Sequence, residues 1–257
     1  MNQRDAHPRE LQRRTTEYWS TWAPEYEAHQ AARSSMAGER EAWERVWAPC
    51  LPPAPARVLD AGTGSGHVAR LLADLGYDVV GIDLAPGMLA EARRASHGAE
   101  RAPVFELADA SDPPFAEGSF DAITARYVLW TLPHPELVLG RWRRLLRPGG
   151  TLTVVDGTWF PGGNVSEDGD DTVTERSAHF ARAYDASDSA LPLLGATHID
   201  EFAAAISAAG FSEVRTEELP EVVELDRRHG VPPGHEVQMK YRISARKPGG
   251  VAHSEAR

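Results

Sequence analysis

The chain has 257 residues, 42% of them hydrophobic and 25% charged, enough for one sizeable core with an accessory cap. Its 38 acidic against 27 basic residues leave a formal charge of -11, which argues against a nucleic-acid partner, because such affinity is built on Lys and Arg neutralising phosphates. The single cysteine, Cys50, excludes an intrachain disulfide and a cysteine-based zinc site; with no apolar run long enough for a membrane span or a signal peptide, a cytoplasmic protein without membrane contact is expected.

Residues 1–50 read as a helical, polar-aromatic cap that ends at Leu51-Pro-Pro-Ala-Pro-Ala56, where prolines remove donors and fix φ. From Arg57 short apolar runs alternate with amphipathic stretches. Strands are expected at 58–60, 78–83, 104–107, 120–125 and 151–155, and helices at 67–75, 86–95 and 135–146, the last stopped by Arg147-Pro-Gly-Gly150. This alternation predicts an α/β fold: a Rossmann-like, mostly parallel sheet flanked by helices. Residues 157–197 are rich in Gly, Asp, Ser and Thr, and read as an insertion over the sheet with a helix near 172–185. A helix at 199–209 and strands within 211–217 and 236–245 would close the sheet with an antiparallel pair. The main domain is thus expected to span 51–247, with 248–257 as a disordered tail.

Val58-Leu-Asp-Ala-Gly-Thr-Gly-Ser-Gly-His67 places three glycines between a strand and a helix, where a ligand can approach the backbone without meeting a Cβ. The dinucleotide fingerprint would need glycine where His67 stands. Asp83 ends the second strand about twenty residues on, where a carboxylate can accept from both ribose hydroxyls. Further along come Gly81-Ile-Asp-Leu-Ala-Pro-Gly-Met-Leu89, Ala108-Asp-Ala110, Phe115-Ala-Glu-Gly-Ser-Phe-Asp-Ala122 and Leu145-Leu-Arg-Pro-Gly-Gly-Thr-Leu152. In order and spacing these blocks, over roughly residues 55–156, resemble the class I (Rossmann-like) S-adenosylmethionine-dependent methyltransferases of quinone biosynthesis and small-molecule tailoring. The resemblance implies S-adenosylmethionine as cofactor. It implies that Asp60, Gly62, Thr63 and Gly64 hold the methionyl end, that Asp83 binds ribose, and that Leu84 and Met88 flank the adenine. Asp109 and Ala110 would meet the adenine amino edge. Leu84 and Met88 also suit plain core packing, and Asp109 a plain turn.

Two motifs point elsewhere. Asp112-Pro-Pro-Phe115 resembles the motif of enzymes that methylate amino groups of bases or glutamines, but it precedes the fourth strand instead of following it. Catechol-type methyltransferases carry a metal-binding carboxylate after the fourth strand; Arg126-Tyr127 stands there, so no metal is expected.

Tyr18, Trp19, Trp22 and Tyr26 crowd one helical segment, which suits hydrophobic packing of the cap. In related enzymes the similar segment closes over the cofactor, which makes Tyr18 and Tyr26 candidates to face the positive sulfur. The turn after the fourth strand, Arg126-Tyr-Val-Leu-Trp130-Thr-Leu-Pro-His134, lies at the carboxyl edge where ligands sit. Arg126 is a candidate for cofactor binding. Tyr127 and Trp130, with Trp22, His179 and Tyr184, are candidates for a small-molecule acceptor. Many family members place a histidine at the position of Thr131; here the base candidates are His134 and Asp156, with Tyr18 as a further catalytic candidate. The acidic run Ser166-Glu-Asp-Gly-Asp-Asp171 reads as a solvated loop.

Methyl transfer from a sulfonium is an in-line displacement, so holding the reactants collinear in a dry site should supply most of the acceleration. O, N and C acceptors all fit that chemistry. Two rivals stand beside this reading: a nicotinamide-dependent oxidoreductase, disfavoured by His67, and a non-catalytic binding or sensing module of the same fold.

Overall fold

In the computed structural model the described residues are 3–161, 174–184, 191–231 and 236–249. Seven strands build one sheet: β1 (Arg57–Ala61), β2 (Asp78–Asp83), β3 (Val104–Leu107), β4 (Phe120–Arg126), β5 (Leu146–Asp156), β6 (Ser212–Glu218) and β7 (Tyr241–Arg246). Their order is β3-β2-β1-β4-β5-β7-β6. The first five pair in parallel, and β7 runs antiparallel to both β5 and β6. Val58, Leu59, Ala122 and Ile123 are fully buried, as central parallel strands covered on both faces require. The strand order reverses between β1 and β4. That switch point opens a crevice at their carboxyl ends, and the glycine turn and Arg126-Tyr127 both leave the sheet there.

The helices are α1 (Gln3–Ser34), α2 (Glu39–Trp47), α3 (His67–Asp74), α4 (Pro86–Ala95), α5 (Pro135–Leu145), α6 (Glu175–Ala183), α7 (Asp200–Ala208) and α8 (Pro220–His229). The N-terminal segment is largely one long helix, and α1 lies across α4 and α6. Its contact with α4 is backbone against backbone: a Cβ on Gly87 would sit 2.4 Å from the Ser20 carbonyl oxygen, so only glycine admits this approach. At the far end of α1, the buried Arg33 pairs with Glu39 and, at 3.0 Å, with Asp226, and Lys240 pairs with the same Asp226. Two cations and two anions on four elements thus satisfy one another and pin α1 to α2, α8 and the entry to β7.

Two boundaries and one helix depart from expectation. β5 starts at Leu146 instead of 151, because Leu146 already pairs with Phe120 before a register shift accommodates Arg147-Pro-Gly-Gly150. The last strand starts at Tyr241 instead of 236 and runs to Arg246, while Glu236 and Gln238 before it line the cavity. Helix α8 was not anticipated, although Pro220 opens it, Gly230 follows it and Val222, Val223 and Leu225 give it a buried face. The run 166–171 and residues 250–257 lie outside the described residues. Among the described residues no helix is long and apolar enough to cross a membrane.

Candidate active site

One cavity of about 550 Å³ fills the crevice. At one end Gly62 and Gly64, both at positive φ, carry the chain from β1 toward α3. A Cβ on Gly62 would lie 2.4 Å from Val128, whereas one on Gly64 would meet nothing, so Gly64 leaves its backbone open to the cavity. Asp83 ties this turn to the end of β2: its carboxylate accepts from the Gly64 amide at 2.9 Å and from the Ala85 amide at 2.8 Å. Burial raises its pKa, against the pull of those amides. Beneath the turn, Asp60 accepts from the hydroxyls of Thr63 at 2.7 Å and Thr124 at 2.8 Å. Its burial outweighs these bonds and the nearby Arg126 charge, pushing its pKa up to about 6. Asp60, Thr63 and Arg126 border a small side recess that adjoins the main cavity at Gly62 and Gly64.

Leu84, Met88, Asp109 and Ala110 line the same end. Asp109 accepts from the Ser111 amide at 2.7 Å and from the side-chain amide of Gln12, on α1, at 2.6 Å. Arg126, at the end of β4, stacks its guanidinium over Trp43 at 5.0 Å and over Tyr127 at 5.3 Å. Tyr127 itself has φ 60, rare for a large side chain, and its ring meets Trp159 edge-on at 4.8 Å.

The other end is walled by Trp130, Phe160, Phe180 and Tyr184. Trp19 joins the two halves: it packs beside Ala85 and Met88, and its indole N–H donates to the Tyr184 hydroxyl at 2.7 Å.

Sequence-predicted residues fall into three groups. Asp60 and Thr63 border the side recess. Tyr26, Gly62, Gly64, Asp83, Leu84, Met88, Asp109, Ala110, Arg126, Tyr127, Trp130 and Tyr184 all line the cavity. Tyr18, Trp22, His134, His179 and Asp156 do not. Tyr18 is 2% exposed behind the cavity wall, where its hydroxyl accepts from Arg176 at 3.1 Å; the docking of α1 at Gly87 turns Trp19 inward instead. Trp22 donates to His179 at 3.1 Å in the α1–α6 contact. His134 is exposed at the start of α5. Asp156 is fully buried and accepts from the amides of Leu129 and Gly157 and from the indole N–H of Trp159, at 3.1, 3.0 and 2.5 Å. Burial raises its pKa to about 7 despite these donors. Its place is that of a brace joining the segments that follow β4 and β5.

Asp112 pairs with Arg141 at 3.4 Å, away from the cavity. Residues that sequence reasoning passed over are Gln12, Trp19, Trp159, Phe160 and Phe180. Trp159 and Phe160 could have been found, since they follow the carboxyl end of β5 as Arg126 and Tyr127 follow that of β4. Among the described residues no group of three His, Cys, Asp or Glu is arranged to hold a metal ion.

The family model described as a methyltransferase domain matches residues 59–154. A demethylmenaquinone methyltransferase of Thermus thermophilus is 42% identical over 108 residues, covering 41% of this chain and 49% of that protein. A ubiquinone biosynthesis O-methyltransferase of Xanthomonas oryzae pv. oryzae is 40% identical over 105 residues, covering 40% and 43%. The chain spans about half the length of the curated relatives it matches. Residues 59–154 are thus similar to methyltransferase domains, and the sheet with its flanking helices has the Rossmann-like fold of solved methyltransferases. Among solved structures, a phosphoethanolamine N-methyltransferase of Haemonchus contortus, in complex with phosphomonomethylethanolamine and S-adenosylhomocysteine, superposes with a TM-score of 0.56 at 19% identity. It covers 81% of this chain and 52% of that one. The cyclase SpnF superposes with a TM-score of 0.56 at 22% identity, covering 82% of each. At such identities the likeness concerns the fold alone.

Proposed function

We propose that the protein transfers the methyl group of S-adenosylmethionine to a small-molecule acceptor. The observation that carries this reading is the continuity of the cavity. One chamber runs from the glycine turn and two spaced carboxylates to a ring-lined end, so two reactants can meet there away from bulk water. The residues fit the cofactor. Gly64 leaves open backbone, Asp83 turns a carboxylate to the cavity, and the Gln12 amide on Asp109 is the kind of N–H donor that an adenine amino group supplies.

In this reading Asp83 takes the ribose hydroxyls, Leu84 and Met88 flank the adenine, and Asp109 with the Ala110 backbone meets its amino edge after Gln12 gives way. Asp60, Thr63, Gly62 and Gly64 hold the methionyl ammonium end, and Arg126 its carboxylate, with Trp43 keeping the guanidinium in place. The bound cofactor supplies an electrophilic methyl group on a sulfonium. The chain's contribution is to align and to dry the site: Trp19 and Tyr26 offer ring faces at the junction of the two halves, while Asp156 braces the walls. Of the carboxylates lining the cavity, Asp83 and Asp109 lie at the cofactor end and Glu236 is exposed to solvent, while His134 and Asp156 face elsewhere. No histidine lines the described cavity, which supports catalysis by positioning, with little help from a base.

Isothermal titration with S-adenosylmethionine, S-adenosylhomocysteine and NAD tests the proposal. Binding of both adenosyl ligands, lost in Asp83→Ala, is expected; binding of NAD alone would overturn it.

A further inference from the structure

Asp109 and Ala110 sit on a short loop, residues 108–112, that follows β3. Because β3 is the edge strand of the sheet, no further strand supports this loop from outside. Its peptide groups are nonetheless held one by one. The Ser111 amide donates to Asp109 Oδ1 at 2.7 Å, and the Asp112 amide donates to the Asp109 carbonyl at 3.0 Å. Two consecutive residues of α5 take the next carbonyls: the Trp142 indole N–H donates to that of Ala110 at 2.7 Å, and Arg141 Nη1 to that of Ser111 at 2.7 Å. The peptide units 110–111 and 111–112 are thus bonded at both ends.

What remains for a ligand is narrow. None of the described hydrogen bonds uses the Ala110 amide, and Asp109 Oδ2 holds only the Gln12 side chain, in a contact that a ligand N–H can replace. Both residues line the cavity. They offer one acceptor beside one donor. That order matches a base edge with an amino group next to an unprotonated ring nitrogen, and it opposes an edge with a carbonyl next to a ring N–H. Neither Trp142 nor Arg141 lines the cavity, yet both decide whether this order is kept. Without the indole the Ala110 carbonyl is buried and unpaired, at a cost that the peptide unit can escape only by turning. Turning takes the Ser111 amide off Asp109 Oδ1 and frees the carboxylate to rotate.

We infer that Trp142 and Arg141 are positioning residues that fix the base specificity of the cofactor site. By holding the Ala110 and Ser111 carbonyls they keep the Asp109 carboxylate and the Ala110 amide in the order that admits adenine and rejects its 6-oxo counterpart. The inference rests on the methyl-transfer reading and adds to it two residues of α5 that touch no ligand.

The test is titration calorimetry of the full chain with S-adenosylhomocysteine and with S-inosylhomocysteine, in which a 6-oxo group and a ring N–H replace the amino group and its neighbouring nitrogen. The unmodified chain should bind the adenosyl ligand about a hundredfold tighter, because both bonds of the pair are reversed in the other. Trp142→Phe, which keeps a ring and removes the N–H, should lower that ratio about fivefold or more by weakening the adenosyl ligand, and Arg141→Leu should do likewise. Trp47→Phe removes an equally buried indole from the other core cluster and should leave the ratio as it is. A merely structural role would weaken both ligands by one factor and keep the ratio; that result in both α5 variants overturns the inference, as does an equal fall of the ratio in Trp47→Phe. Should Trp142→Phe fail to fold, Arg141→Leu, whose side chain is 40% exposed, decides alone. If the unmodified chain binds neither ligand, the methyl-transfer reading falls, and this inference with it; if it binds both equally, or the α5 variants keep the ratio, only this inference falls.

Discussion

Asp60 and Asp156 are both buried carboxylates near the carboxyl ends of β1 and β5, the two strands that flank β4, yet their surroundings give them different work. Asp60 borders the recess beside the glycine turn, and its pKa near 6 is set by burial, partly offset by two threonine hydroxyls. An ammonium group placed beside it favours the ionised form. Binding should therefore expel a proton wherever the free carboxyl is still protonated, and affinity for S-adenosylmethionine should fall about tenfold per pH unit below about 6 and level off above it. Titrations between pH 5 and 8 check this; a profile as flat in the unmodified chain as in Asp60→Asn would detach Asp60 from the methionyl end. Asp156, with a pKa near 7 and three donors on its oxygens, faces no cavity. Its folded pKa lies above the ordinary carboxylate value, so the folded state binds the extra proton and stability contributed by that proton is lost as pH rises from about 4 to about 7. Asp156→Asn abolishes this titration. Urea midpoints should then show the difference between variant and parent changing across that window and constant above it, and a constant difference throughout would refute the assignment.

Between elements, the decisive contact is that of α1 with α4. A Cβ on Gly87 would meet the backbone of Ser20, which cannot rotate away as a side chain could, so Gly87→Ala has to lift α1 from α4. Overpacking of this kind costs about 1–3 kcal/mol. Trp19 and Gln12 ride on the same helix, so the variant should also bind cofactor more weakly, and its α1 amides should exchange faster while those of β1 and α3 do not. Unchanged exchange in α1 would show that the contact is slack. The same contact explains what was legible beforehand. The five parallel strands, the glycine turn, Asp83 and Asp109 follow from local pattern, since strand periodicity and turn chemistry are written in adjacent residues. The inward face of α1 is not local. Aromatics at 18, 19, 22 and 26 occupy more than one side of the helix, and only its docking against Gly87 decides that Trp19 faces the cavity and Tyr18 does not. Likewise α8 carries its own proline and glycine punctuation, but the buried ion pairs of Asp226 that seat it join residues far apart in the chain.

At the scale of the whole molecule, the cavity draws on widely separated parts of the chain: α1, the glycine turn after β1, the ends of β2 and β4, the segments after β3 and β5, α4, α6 and the approach to β7 all contribute lining residues. Two of these, α1 and the approach to β7, are already joined by the buried network of Arg33, Glu39, Asp226 and Lys240, and a ligand spanning the cavity would tie them to the sheet, so binding should stabilise the fold as one unit. A ligand bound only by the folded state, at a hundredfold excess over its dissociation constant, contributes about 2.7 kcal/mol. For a chain of this size, about 2–4 °C accompanies each kcal/mol, which places the expected rise in melting temperature at about 5–10 °C for S-adenosylhomocysteine. NAD should produce no rise. Calorimetric scans with each ligand separate the outcomes: a single transition moving upward with S-adenosylhomocysteine means that the cap and the sheet respond together. A transition that splits, with only one part moving, would mean that the cavity is read by the sheet alone and that α1 closes over it without sharing in the binding.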